Sequence, residues 1–208
     1  MAVEKKELRD VLRACRDGLR SPYVAAASAS IQRRLLDSAA YRAAQTVVLY
    51  AAKDNEVQTA LIFADAAASG RCVLFPRVMR AARALALVRV CHQAELAPGA
   101  FGLHEPTGAE TVPVAALRHA LICLPGLGFS RDGLRLGRGG GYYDRLLTEA
   151  DPAIQSAGLA YAFQVLDRIP QSLGDQRLKL LFTESATYEA PAHVPGPRVQ
   201  TDQGGLQC

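Results

Sequence analysis

Tryptophan is missing from the 208 residues, and no apolar stretch reaches the roughly 18 residues that a membrane-spanning helix needs. Met1 to Arg9 carries Glu4, Lys5, Lys6, Glu7 and Arg9 with no apolar run behind them, so neither a signal peptide nor an anchor is expected. A soluble, cytoplasmic protein is the expectation. Cysteine is sparse and unpaired in pattern: Cys15, Cys72, Cys91, Cys123 and Cys208 are odd in number, far apart and never in a Cys-x-x-Cys unit. That excludes a disulfide framework and a zinc knuckle, and leaves reduced thiols. His92, His104, His119 and His193 are equally scattered, and none is assigned to chemistry. Lysine occurs only at Lys5, Lys6, Lys53 and Lys179, so the formal charge of +4 rests on arginine. A charge so small and so evenly spread does not imply nucleic acid, and suits a small anionic ligand.

What is present is enough apolar material for one sizeable core, since half the residues are hydrophobic. We expect one domain over residues 1–189. The stretch Ala190 to Cys208, rich in Pro, Gly and Gln and without a period, is predicted to be disordered. Leu8, Val11, Leu12, Cys15 and Leu19 recur at helical spacing, which predicts an amphipathic helix over Lys5 to Leu19 with a basic outer face. Ser21-Pro22 reads as an N-cap and first turn of a second helix running to about Ala40. Thr46 to Ala51 reads as a buried strand, Val57 to Ser69 as a helix capped by Gly70, and Cys72 to Phe75 as a strand stopped by Pro76. Further strands are predicted over Ala84 to Val90, Ala120 to Leu124, Ala157 to Ala162 and, last, Leu178 to Phe182, with a helix over Tyr142 to Ala150. Short apolar strands alternating with helices predict an α/β fold: three layers, a mainly parallel sheet flanked by helices. In such sheets ligands sit beyond the carboxyl ends of the strands.

Leu134 to Leu147 reads LRLGRGGGYYDRLL, with Gly137, Gly139, Gly140 and Gly141 between a strand exit and a helix start. Glycines there let backbone N–H groups approach an anion, the helix start adds its positive end, and Arg135 and Arg138 add forked donors. The pattern is neither GxxxxGK[ST] nor GxGxxG, so the familiar nucleotide folds are not supported. A plain glycine-rich turn and an RGG-type RNA contact are the competing readings. The first is weakened by Tyr142, Tyr143 and Asp144 following at once, and the second by the single, framed occurrence of the motif. Asp144 falls in the first helical turn, where a carboxylate can stabilise the helix start or hold Mg²⁺ beside phosphates.

The longer stretch Pro125 to Leu147, PGLGFSRDGLRLGRGGGYYDRLL, resembles the signature of the 5-formyltetrahydrofolate cyclo-ligase family, also called 5,10-methenyltetrahydrofolate synthetases. Further elements of that family are matched in order by Lys5 and Arg9, by Asn55 to Thr59, by Phe75-Pro76-Arg77, by Phe101 to Pro106, and by Gly158 to Tyr161 with Gln164 and Pro170. The resemblance implies an enzyme that uses ATP and Mg²⁺ to cyclise 5-formyltetrahydrofolate to 5,10-methenyltetrahydrofolate. It implies that Lys5, Arg9, Arg135, Leu136, Gly137, Arg138, Gly139, Gly140, Gly141, Tyr142 and Tyr143 bind ATP, that Asp144 holds the metal, and that Glu56 with Ala51 binds the reduced folate. Two departures stand out: Gly140 where some relatives have Lys, and Gly174-Asp175 with Lys179 where the family often has His-Asp and a second acid. Lys179 motivates the alternative of a non-catalytic or altered-specificity relative. It is also expected to lend charge to the phosphate site, with Asp175 either pairing with it or reaching the metal through water.

Overall fold

Thr46, Val47 and Val48 lie between two other apolar runs, Cys72–Met79 on one side and Ala120–Leu124 on the other, and both pairings are parallel. This nucleus belongs to a computed structural model that describes residues 2–191. The expected tail lies outside the described residues except for Ala190 and Pro191. In chain order the elements are α1 (Ala2–Asp17), α2 (Ser21–Leu36), α3 (Ala39–Ala43), β1 (Thr46–Val48), α4 (Ala60–Ala68), β2 (Cys72–Met79) and β3 (Ala84–Arg89). There follow β4 (Leu96–Pro98), β5 (His104–Pro106), β6 (Thr111–Val112), β7 (Ala120–Leu124), β8 (Gly128–Ser130) and β9 (Arg135–Leu136). The last are α5 (Tyr142–Glu149), β10 (Gln155–Leu159), β11 (Val165–Leu166), β12 (Leu180–Phe182) and β13 (Thr187–Glu189).

Eight strands form the main sheet in the order β13-β12-β10-β7-β1-β2-β3-β6. The five from β12 to β2 are parallel, and the outer pairings, β13 with β12, β3 with β2 and β6 with β3, are antiparallel. Alternation along each strand divides two cores. Val47, Leu49, Val73, Phe75, Leu121 and Cys123 face one side, where Ile31 and Leu35 of α2 and Ile62 and Ala66 of α4 cover them. Val48, Leu74, Ile122 and Leu124 face the other, against Val114, Leu117 and Leu146 of α5. Strands buried on both faces are continuously apolar for this reason. The fold is the expected α/β sheet flanked by helices.

From β1 the chain crosses through α4 to β2 on one side, and from β7 it crosses through α5 to β10 on the other. The two directions part between β1 and β7, so the loops leaving those strands splay apart and leave a crevice at their carboxyl ends.

Several boundaries differ from expectation, each for a physical reason. Strand β2 runs through Pro76 to Met79 because β1 has already ended opposite Leu74. A proline beyond that point deprives no β1 neighbour of a donor. Helix α2 stops at Leu36, and Ser38 then caps the short α3 by accepting from Tyr41 N at 3.2 Å. Arg20, not Ser21, is the extended residue before α2. Helix α4 starts at Ala60, since Thr59 Oγ1 donates to Tyr50 O at 2.9 Å and Tyr50 OH donates to Val57 O at 2.8 Å, tying residues 57–59 to the exit of β1. Leu180–Phe182 is not the last strand, because β13 pairs back on it. In α1 the basic face is partly the inner one. Lys5, Leu12 and Arg16 are buried, whereas Val11 and Cys15 are exposed.

The end of α1 is held by Asn55, whose Nδ2 donates to Arg16 O, Asp17 O and Leu19 O at 3.0, 3.2 and 3.0 Å. Asn55→Ala strands those carbonyls and is expected to cost about 1–3 kcal/mol. At roughly 2–4 °C per kcal/mol, thermal denaturation would reveal the loss as a drop of several degrees. An unchanged melting temperature would mean that water replaces the amide at no cost.

Candidate functional site

At the carboxyl edge of the sheet lies a cavity of about 740 Å³, and the loops leaving β1 and β7 form two of its walls. The first contributes Tyr50, Ala51 and Glu56, and the second contributes Pro125, Gly126 and the run Arg135 to Asp144. Helix α1 closes a third side with Lys5, Arg9 and Arg13, and Pro76, Val78, Leu85, Phe101 and Leu103 make an apolar fourth. Every residue that the resemblance assigns to ATP, metal or folate lines this one space, from Lys5 and Arg9 through Ala51 and Glu56 to the whole of Arg135–Asp144.

The loop takes its shape from glycine torsions. Gly139 has φ +103° and Gly141 φ +65°, values that a side chain resists. Gly141 offers no side chain to cap α5, so the first amides of that helix receive no cap from it. A Cβ at Gly137 would sit 2.5 Å from Arg135 Nη1, so any side chain there requires that guanidinium to shift. Arg135 is buried, with Nη2 donating to Asp144 Oδ2 at 3.2 Å and Nη1 to Pro125 O at 3.4 Å, its plane 5.5 Å from the Tyr143 ring centre. Its Nε is buried with no partner among the described residues. Burial, then the neighbouring Glu56 charge, raises the pKa of the Tyr143 phenol well above its ordinary value, so that group remains a neutral donor.

Two cations from α1 reach the same region. Arg9 Nε donates to Gly137 O at 2.9 Å, and Lys5 Nζ donates to Asp175 Oδ2 at 2.7 Å and to Ser172 Oγ at 2.8 Å. Asp175 therefore pairs with Lys5 and not with Lys179. The ammonium of Lys179 lies elsewhere, donating to Pro152 O, with burial lowering its pKa and Asp151 nearby opposing that shift. Lys179 does not line the cavity, which corrects the expectation that it lends charge there.

Glu56 is 6% exposed. Its Oε1 accepts from Arg16 Nη1 at 3.4 Å and Arg138 Nη2 at 2.9 Å, and its Oε2 from Lys53 N at 3.0 Å. Arg16 is the neighbour of Glu56 that reading the sequence missed. The available signal was its place four residues past Leu12 on the inward stripe of α1. Ser172 and the apolar wall around Phe101 were missed as well, although Phe101 and Pro76 had been noted as motif positions.

For a divalent cation the cavity offers the carboxylates of Asp144 and Asp175, and Asp144 Oδ1 also accepts from Gln176 N at 3.4 Å. Among the described residues there is no group of three or more His, Cys, Asp or Glu that could hold a metal. One or two hard oxygen donors beside phosphate are what Mg²⁺ ordinarily uses, so the donor set fits that ion.

The sequence model of the 5-formyltetrahydrofolate cyclo-ligase family matches residues 1–184. The chain belongs to this family. Family membership agrees with its curated relatives. A 5-formyltetrahydrofolate cyclo-ligase of Mus musculus is 30% identical over 156 residues, covering 70% of this chain and 76% of the relative. The cyclo-ligase of Escherichia coli is 28% identical over 150 residues, covering 70% and 81%. The solved structure of Aquifex aeolicus 5,10-methenyltetrahydrofolate synthetase superposes with a TM-score of 0.78 at 28% identity, over 95% of this chain and 98% of that one. A synthetase from Mycoplasma pneumoniae shares the fold, with a TM-score of 0.70 at 22% identity over 86% and 98%.

The Arg16–Glu56 pair is almost fully buried, so its two halves depend on each other. Arg16→Met should destabilise the chain, by less than the roughly 3–5 kcal/mol of a fully broken buried pair, because Glu56 keeps only the half-exposed Arg138 as its cation. Adding Glu56→Gln to it should recover part of the loss in urea denaturation. Additive penalties in that double-mutant cycle would mean that the two groups do not interact.

Proposed function

We propose that this chain catalyses the ATP-dependent closure of 5-formyltetrahydrofolate to 5,10-methenyltetrahydrofolate, releasing ADP and phosphate, as a single functional unit over residues 1–189 in the cytoplasm. The observation that carries the reading is that a buried carboxylate, Glu56, and an arginine-bearing glycine loop, Arg135 to Tyr143, share one cavity. The chain's membership of the family supplies the reaction class. Among the described residues no helix is long and apolar enough to cross a membrane.

An N-formyl group is a poor electrophile and its oxygen a poor leaving group. Transfer of the γ-phosphoryl group of ATP to that oxygen repairs both faults. The neighbouring folate nitrogen then attacks the formyl carbon, loses its proton and expels phosphate, leaving the methenyl bridge. No protein nucleophile enters this scheme, so the side chains position reactants and balance charge. Lys5, Arg9 and the loop Arg135, Leu136, Gly137, Arg138, Gly139, Gly140, Gly141, Tyr142 and Tyr143 hold the ATP phosphates. The loop does so through backbone N–H groups, guanidinium forks and the neutral Tyr143 phenol. Glu56 accepts hydrogen bonds from the pterin edge, with Ala51 beside it, and the apolar wall takes the ring system. Asp144 is the protein's principal ligand for Mg²⁺, which neutralises phosphate charge when bound, and Asp175 lies on the same side. The non-catalytic alternative rested on Lys179, whose ammonium is directed away from the cavity, and the comparisons do not favour it.

The test is direct: purified enzyme, 5-formyltetrahydrofolate, ATP and Mg²⁺, following methenyltetrahydrofolate absorbance alongside ADP. Glu56→Gln is expected to raise the folate KM about ten- to a hundredfold, the equivalent of one charge-assisted hydrogen bond, with the ATP KM little changed. Asp144→Asn should shift the Mg²⁺ requirement upward at saturating ATP. An unchanged folate KM removes Glu56 from the folate subsite, and an unchanged Mg²⁺ dependence removes Asp144 from the metal.

A further inference from the structure

We propose that Arg138 is an exchangeable latch joining the two substrate subsites, so that folate and ATP bind with positive coupling. The proposal rests on the assignment of Glu56 to folate and of the glycine loop to phosphate, and it adds a link between them. Glu56 Oε1 has two guanidinium partners of different character. Arg16 comes from inside the fold with its side chain 1% exposed, whereas Arg138 reaches across the cavity with its side chain 43% exposed. Arg138 also lies 3.5 Å from Asp54 Oδ2, which sits at φ +55° in the loop leaving β1. One side chain therefore ties the phosphate loop to the folate-side loop through two carboxylates.

That tie conflicts with both proposed roles at once. The Arg138 contact occupies the shorter of the two ion-pair distances on Glu56, so a pterin edge that needs Oε1 must move it. A guanidinium held on Glu56 is likewise not free for phosphate. Arg138 can leave cheaply on three counts. It is solvent-accessible, Gly139 beside it holds a torsion outside the usual L-residue range, and the charge of Glu56 stays compensated by Arg16 when it goes. Whichever substrate arrives first breaks the latch, and the second binds without that cost. Linkage makes the effect reciprocal, so each ligand must tighten the other by one common factor.

Isothermal titration of the full chain with Mg²⁺, 5-formyltetrahydrofolate and the non-transferable β,γ-imido analogue of ATP tests this. Wild type is expected to bind each ligand about tenfold more tightly in the presence of the other, within the roughly 5–150-fold range of ordinary coupling. Arg138→Gln should abolish the coupling and bind folate alone several-fold more tightly than wild type, although an arginine of the cavity has been removed. A merely structural role for Arg138 would not give that increase. Where Arg138→Gln binds the analogue too weakly to titrate, Asp54→Asn decides, since loosening the latch should raise folate affinity in the nucleotide-free enzyme. Wild type that binds both ligands independently overturns the latch and leaves the site assignment standing, as does coupling that survives in Arg138→Gln or an Asp54→Asn variant with wild-type folate affinity. Wild type that binds neither ligand overturns the site assignment and the latch together.

Discussion

Burying the carboxylate of Glu56 constrains much of the rest of this molecule. An ionised carboxylate in a dry site is costly unless a cation and hydrogen bonds accompany it, and here the permanent cation comes from another element, Arg16 of α1. Once Arg16 is pinned beneath Glu56, the register of the whole helix is set. Lys5, Arg9, Leu12 and Arg16 lie on one stripe at three- and four-residue spacing, and at 1.5 Å per residue that stripe carries charge over about 16 Å of α1. Its far end meets Asp175 and Ser172 through Lys5, and its middle meets the glycine loop through Arg9. Leu12 between them packs with Leu127, Leu134 and Leu136, which anchors the rod against the small sheet β11-β8-β9.

The sheet supplies the other half of the constraint. Because the crossovers part between β1 and β7, the two exits, Tyr50–Glu56 and Pro125–Asp144, face each other across the crevice. The first is stiffened by the Tyr50–Val57 and Thr59–Tyr50 hydrogen bonds and the second by Arg135, held on Asp144 and Pro125. Beside these anchored side chains Arg138 is the more exposed member, carried between glycines. A site of rigid walls with one exchangeable cation suits a reaction in which two substrates meet and charge must be neutralised as a phosphoryl group moves.

Much of this was legible in the chain. The apolar runs at β1 and β7 are continuous because both faces of those strands are buried, and such runs are readable without tertiary knowledge. The glycine loop announces itself through residue types that have few other uses together. Arg16 did not, since a charged residue near an apolar helix stripe can lie at its edge or under its partner, and only the position of Glu56 decides between them. Pro76 misled because a proline ends a strand with two neighbours but not one whose neighbour has already stopped. The two- and three-residue strands β4, β5, β6 and β13 are too short to show a period, and Lys179 was misjudged because its sequence distance from Asp175 says nothing about where its ammonium points.

The central claim is that this cavity lets ATP activate the formyl oxygen so that a folate nitrogen can displace it. Carrying ¹⁸O in the formyl group of 5-formyltetrahydrofolate through a full turnover with unlabelled ATP, and analysing the released phosphate by mass spectrometry, tests it most directly. One ¹⁸O atom in each phosphate released is the expected result. Unlabelled phosphate with the isotope recovered in water would contradict it.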